Sequence, residues 1–125
     1  MVSYESMEPY LISGDLVFIV NPRIKKIKQN SIIVVDNDKK GEIIKRVVGM
    51  PGDIVFNRND SLLLLNHPLS EKNQNVTYQE FTYIPKGCYY ILGDNTKVSY
   101  DSRSFGLINR NKIVGIVLFI VRLHD

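Results

Sequence analysis

A mostly β, single-domain fold of short antiparallel strands, partly closed into a barrel or paired as two sheets, is predicted by three features of the sequence. The chain contains no alanine and is rich in Ile, Val, Tyr and Phe, residues that suit a pleated, half-buried surface. Helical periodicity is nearly absent; apolar runs of strand length recur instead, separated by Gly, Pro, Asn and Asp turns. With 125 residues, 44% of them hydrophobic and 23% charged, the chain suits one domain, 1–125, with a core of its own.

Leu16 to Asn21 (LVFIVN) is the first predicted strand. The Gly14-Asp15 turn leads into it, and Pro22, which has no N–H for a ladder, ends it. Ser31 to Asp36 and Glu42 to Val48 flank the polar segment from Asn37 to Gly41 and read as a hairpin. Met50-Pro51-Gly52-Asp53 is a turn, because Pro pre-sets one φ and Gly tolerates a positive φ next to it. It delivers the chain into Ile54-Val55-Phe56. Asn57 to Asp60 then turns the chain back into Ser61 to Asn66, a second hairpin. The stretch 67–77 is polar and patternless and is expected to be a mobile loop. Val76 to Tyr83 reads as an edge strand, Cys88 to Leu92 as a buried one, and Ile113 to Arg122 as the last. These make about eight short strands, the count of a small barrel or two packed sheets.

Composition narrows the possible partners. The net charge of +3 is mild, and the one basic cluster, Arg23 to Lys28, reads as a solvated loop, with contact to anionic lipid or nucleic acid as the alternative. No nucleic-acid partner is expected. The single cysteine, Cys88, cannot form an internal disulfide and reads as a buried small hydrophobe. No Cys/His spacing suggests a metal, so neither metal nor cofactor is expected. No apolar run approaches the ~18 or more residues of a membrane helix. The longest, Ile113 to Val121, is of strand length and reads as core, although exposed apolar surface near the site could touch lipid. Candidate site residues appear by position 6, which suggests that an N-terminal extension precedes this segment in the natural protein.

Two residues carry the chemistry. Ser6 sits in Tyr4-Glu5-Ser6-Met7-Glu8-Pro9, and a serine hydroxyl needs a neighbouring base before it becomes a useful nucleophile. The histidines do not supply one: His67 lies in an Asn-His-Pro turn and His124 at the C-terminus. A lysine can serve if burial keeps it neutral near pH 7. Strand alternation puts Lys45 on one face with Ile43 and Val47, its stem among apolar side chains, and turns Arg46 to the other face with Ile44 and Val48.

SMEP, then GD, then Lys45 to Asp53 (KRVVGMPGD), then Gly93 to Gly106 (GDNTKVSYDSRSFG), in this order and spacing, resembles the catalytic domain of bacterial type I signal peptidases. These are membrane-bound serine–lysine endopeptidases that remove leader peptides from exported proteins. The resemblance runs from about Val2 to Val121 and is closest to Gram-positive members. It implies a signal-peptidase-like fold, which the self-cleaving repressors share. It also implies Ser6 as nucleophile, its backbone N–H in the oxyanion hole, and Lys45 as general base. Ser99 would hydrogen-bond and orient the lysine, and Asp101 and Arg103 would form a structural ion pair beside it. Val2, Tyr4, Met7, Leu11, Ile43 and Ile44 would help line shallow pockets for the small residues before the cleavage site, with the substrate extended along a strand edge. The expected partners are signal peptides of exported preproteins and the membrane lipid surface. The expected location is the outer face of the cytoplasmic membrane, with one or two anchoring helices ahead of the serine.

Three positions depart from the family pattern. Tyr4 stands where a small residue is usual, Tyr10 replaces a threonine after the proline, and Thr96 replaces a common arginine. Tyr4 would crowd the acyl pocket, which points to specialised substrates. Two other readings exist: a self-cleaving repressor, disfavoured by the D-S-R-x-F-G segment, and a weakly active or inactive relative that assists pilus or surface-protein assembly.

Overall fold

The structure, a computed structural model, describes residues 5–58, 61–65, 81–95 and 97–123. Val2, Tyr4, Thr96, both histidines and the 67–77 loop lie outside the described residues. The strands are β1 (Leu16–Val20), β2 (Ile32–Asn37), β3 (Gly41–Gly49), β4 (Ile54–Arg58), β5 (Ser61–Leu65), β6 (Phe81–Tyr83), β7 (Cys88–Leu92), β8 (Ile108–Asn109) and β9 (Ile113–Val121). One short helix, α1 (Ser102–Phe105), and 3-10 turns at Glu5–Met7 and Arg110–Lys112 complete the described elements.

Two open antiparallel sheets result, in line with the paired-sheet alternative. The larger runs β1-β9-β2-β3-β7-β8 and the smaller β5-β4-β6, which leaves β6 at an edge as expected. Both predicted hairpins form. In the first, Asn37 pairs with Gly41, and the Asn37 carboxamide oxygen accepts the N–H groups of Lys39 and Lys40, closing a three-residue loop that Gly41 leaves at φ +75°. In the second, Arg58 pairs with Ser61. The Met50–Asp53 turn carries the chain between sheets. Asp53 N–H donates to Met50 O, the Asp53 carboxylate accepts Met50 N–H, and Gly52 takes φ +95°.

Three core clusters hold this arrangement. Ile33, Val35, Val47, Ile91 and Ile116 pack on one face of the large sheet. Met7, Leu11, Ile32, Val34 and Ile44 form a separate cluster, tying the N-terminal turn to β2 and β3. Val55, Ile84 and Tyr90 join the two sheets. Cys88 is half-buried against this third cluster rather than fully buried.

The last strand is only partly core. Ile113, Gly115 and Ile116 are buried, whereas Val114, Leu118 and Phe119 are exposed, as are Leu16, Phe18 and Ile19 of β1. Phe18 and Phe119 stack with ring centroids 4.6 Å apart. Strand length and apolar content predicted β9, but they do not distinguish a strand with two covered faces from one at a sheet's bare margin. The basic segment Arg23–Lys28 is a solvated loop pinned by Ile27, its one buried side chain.

Candidate active site

Ser6 is held in place by a clamp. The 3-10 turn Glu5–Met7 is anchored by Met7, whose side chain is fully buried and whose carbonyl accepts Leu11 N–H at 3.0 Å. From the other side comes the segment after β7. Asn95 N–H donates to Ser6 O at 2.7 Å, and the Asn95 carboxamide donates to Glu5 O at 3.3 Å. Gly93 makes this approach possible. A Cβ there would collide with Ser99, at 2.6 Å from its Cβ, and with Ser6 O at 2.7 Å.

Lys45 comes from β3. The residue before Arg46 lies just beyond the last β3–β7 pair, Arg46 with Leu92, so the space beside Lys45 is filled by the serine turn rather than by β7. Lys45 is 4% exposed and Ser6 6%, and Lys45 Nζ lies 2.5 Å from Ser6 Oγ in hydrogen-bonding geometry. Burial holds the lysine below its ordinary pKa. The Asp101 carboxylate opposes that shift and the Arg103 guanidinium reinforces it. With the amine neutral, the hydroxyl can donate its proton and the nitrogen accept it.

Asp101 is fully buried. Burial pushes its carboxyl up, but bonds from Arg103 Nε and Nη2, each 2.9 Å, and from Gly93 N–H at 3.0 Å outweigh this and hold it below its ordinary value. The same carboxylate accepts Arg103 N–H and so caps α1, while the Ser102 hydroxyl accepts Ile91 N–H at 2.8 Å. The expected Asp101–Arg103 pair is thus present and semi-buried rather than superficial. Its negative charge is shared with Arg103 and the backbone, and its pull towards a protonated Lys45 is outweighed by the burial of the lysine.

Ser99 differs from expectation. Its hydroxyl is buried against Gly93, and among the described residues it makes no hydrogen bond to Lys45. It lies close enough to Asp101 to help keep that carboxylate ionised. The cleft beside Ser6 and Lys45, about 220 Å³, is lined by those two residues and by Glu5, Lys40, Glu42, Ile43, Val98 and Tyr100. Of the described residues expected to line it, only Ile43 does. Met7, Leu11 and Ile44 are core side chains in the second cluster, a correction that follows from the N-terminal turn folding inward onto β2 and β3. Lys40 sits 5.4 Å from the Tyr100 ring centroid, roofing the end of the cleft.

Along this cleft β3 has a bare edge. Among the described residues, β2 covers one side of β3 from Gly41 to Arg46, and β7 covers the other only from Arg46 to Gly49. Sequence inspection missed several supporting residues. Arg46 makes a bidentate pair with Asp94 at 2.9 Å and lies over Tyr10, and Asn95 and Gly93 secure the serine. The only signal for them was their place in the GD-N and KR stretches; which groups they meet depends on contacts distant in sequence.

A family model described as signal peptidase, peptidase S26, matches residues 1–122, nearly the whole chain. The chain belongs to this signal peptidase family. Signal peptidase IB of Staphylococcus aureus strain COL is 37% identical over 92% of this chain and 72% of its own length. Signal peptidase I of Bacillus caldolyticus is 35% identical over 95% of this chain and 76% of its own. A crystal structure of a signal peptidase I from Enterococcus faecalis V583 superposes with a TM-score of 0.54 at 31% identity, covering 74% of this chain and 97% of that one. The signal-peptidase-like fold and the Gram-positive affinity read from the motifs therefore stand. Membership makes the chain a serine peptidase of the signal peptidase type, whose substrates are the signal peptides of exported preproteins.

Proposed function

We propose that this chain is a serine–lysine endopeptidase that cleaves leader peptides after small residues at the outer face of the cytoplasmic membrane. The observation that carries the reading is the buried contact of Ser6 Oγ with a desolvated lysine, set beside the bare edge of β3. A leader peptide would add to that edge as an extended strand along residues 42–44, its scissile carbonyl reaching Ser6 beside Lys45. Lys45 takes the Ser6 proton as Oγ bonds to the carbonyl carbon, and the Ser6 backbone N–H stabilises the oxyanion, a donor worth roughly 3 kcal/mol. The protonated lysine then gives its proton to the departing amine, leaving an acyl-serine. Water, deprotonated by the same lysine, attacks the ester; the proton returns to Ser6 and the acid leaves. Asp101 and Arg103 act through Lys45 by fixing its electrostatic surroundings, and Ser99 packs against Gly93 to fix the loop beside them.

Membrane contact is supported by the exposed side chains of Leu16, Phe18, Ile19, Val114, Leu118 and Phe119 on β1 and β9. Among the described residues no helix is long and apolar enough to cross a bilayer. Cleavage of a leader-peptide substrate in detergent tests the assignment. Ser6→Ala and Lys45→Ala should each lower kcat/KM by at least ~10³-fold. Variants that cleave as well as wild type would sink the dyad. A wild type inert on a panel of leader peptides would favour the assembly-factor alternative.

A further inference from the structure

A second cavity, about 680 Å³, shares no lining residue with the cleft at Ser6 and Lys45. It opens where Pro22 ends β1 and leaves the start of β9 without its β1 partner, since the last β1 pair is Val20 with Ile116. Arg23, Arg110, Asn21, Asn109, Asn111 and Val114 line it, and among the described residues no carboxylate does.

The polar lining is biased towards donors. Asn21 Oδ1 accepts Arg23 N–H at 2.8 Å, and Asn109 Oδ1 accepts Asn111 N–H at 3.1 Å, so two carboxamide oxygens are committed to their own turns while their NH₂ groups remain donors. Arg110 gives one N–H to Pro22 O at 3.2 Å, out of the five a guanidinium carries. A concave site with two guanidiniums, carboxamide donors and no acid is suited to a phosphate group.

The surroundings say which phosphate. Val114 lines the cavity and is exposed, as are Ile19 and Leu118 of the adjoining strands. Ile24, directly after Arg23, is 79% exposed, and Lys25, Lys26 and Lys28 follow it in the same solvated loop. A phosphate taken from water would leave these apolar side chains without a role, whereas a lipid satisfies both sets at once. We propose that this cavity binds the phosphate of an anionic phospholipid headgroup, with the acyl chains lying against Ile24 and Val114. The proposal rests on the reading of the β1–β9 surface as membrane-facing and assigns that surface a specific lipid site.

Co-sedimentation of the 125-residue chain with vesicles of phosphatidylcholine, or of phosphatidylcholine and phosphatidylglycerol in equal amounts, tests it. Each cationic side chain at an anionic surface contributes roughly fivefold in binding, so Arg23→Gln/Arg110→Gln should lose at least ~25-fold on the mixed vesicles and nothing on the neutral ones. Lys25→Gln/Lys26→Gln removes equal charge from the same loop outside the cavity and sets the baseline for diffuse attraction; because the arginines also hydrogen-bond the phosphate, the Arg23→Gln/Arg110→Gln loss should exceed that baseline by at least ~5-fold. Arg23→Gln alone, which spares the Arg110–Pro22 contact, should show its ~5-fold share with an unchanged Tm. Equal losses in the two double variants would mean diffuse charge attraction and would overturn the site. Release of the protein from mixed vesicles by millimolar inorganic phosphate would make free phosphate the ligand and overturn the lipid assignment. A wild type that cleaves leader peptide in detergent yet does not prefer the anionic vesicles would overturn the headgroup site and leave the peptidase reading intact.

Discussion

The two faces of β3 treat their basic residues in opposite ways. Lys45 faces inward at 4% exposure, has a serine hydroxyl as its hydrogen-bond partner, and is pushed below its ordinary pKa by burial. Arg46, one residue on, is half-buried, held in a bidentate pair by Asp94, and pushed above its ordinary value by that pair. The acid that could neutralise Lys45, Asp101, is instead tied to Arg103 and Gly93. Burial alone does not make a base, because an adjacent uncommitted carboxylate would restore the charge; the nearby acid has to be occupied elsewhere. A cation meant to stay charged and structural needs only an acid within reach.

Exchanging the two side-chain types breaks this contrast most sharply. Lys45→Arg installs a group that cannot deprotonate, so cleavage should fall by at least ~10³-fold, whereas Arg46→Lys should remain within about tenfold of wild type. Equal losses in kcat/KM would mean that the strand, not the base, was being tested. Gly93→Ala is next in size. Its Cβ has no space between Ser99 and Ser6 O, so a stability loss of about 3 kcal/mol in urea unfolding is expected, together with loss of cleavage. A folded, active alanine variant would disprove the clamp.

The pH profile sharpens the comparison further. On the proposal that Lys45 is the base, its lowered pKa predicts that kcat/KM rises with pH as Lys45 loses its proton, the ascending limb lying below the usual lysine range. Asp101 favours the protonated lysine and Arg103 disfavours it, so Arg103→Gln should move the limb to higher pH and Asp101→Asn to lower pH. Shifts of the same sign in both would refute the electrostatic account. Stability follows the same sign. The folded state favours the neutral lysine, so the Lys45 contribution grows as pH rises from its lowered folded value towards its unfolded one, and it is lost as pH falls back. The smallest effect belongs to the other face. Both members of the Arg46–Asp94 pair keep about a quarter of their side-chain surface in solvent, so Asp94→Asn should cost only about 1 kcal/mol in thermal or urea melts, decreasing with added salt.

Much of the architecture was legible in the chain. Both hairpins, the Met50–Asp53 turn and the strands β1, β7 and β9 follow from apolar runs bounded by turn formers. Alternation put Lys45 on one face with Ile43 and Val47 but equally put Arg46 on the other with Ile44 and Val48. The family motifs, not the period of two, therefore singled out the lysine. Four-residue α1 was missed, since one turn has no periodicity, although an Asp followed by Ser-Arg-Ser is a fair N-cap signal. Met7, Leu11 and Ile44 were expected at the substrate cleft and are core residues, because apolar character does not say whether a side chain meets ligand or protein.

By itself the sequence determined a β protein, its turns, its family motifs, and which residue types could supply a nucleophile and a base, since these depend on local propensity and spacing. Only the tertiary structure brought Ser6 onto Lys45 across 39 residues, tied Asp101 to Arg103 instead of the lysine, and ended β7 where β3 needs a bare edge. Those outcomes come from desolvation and strand register, which are set by contacts between segments and cannot be read from any one of them.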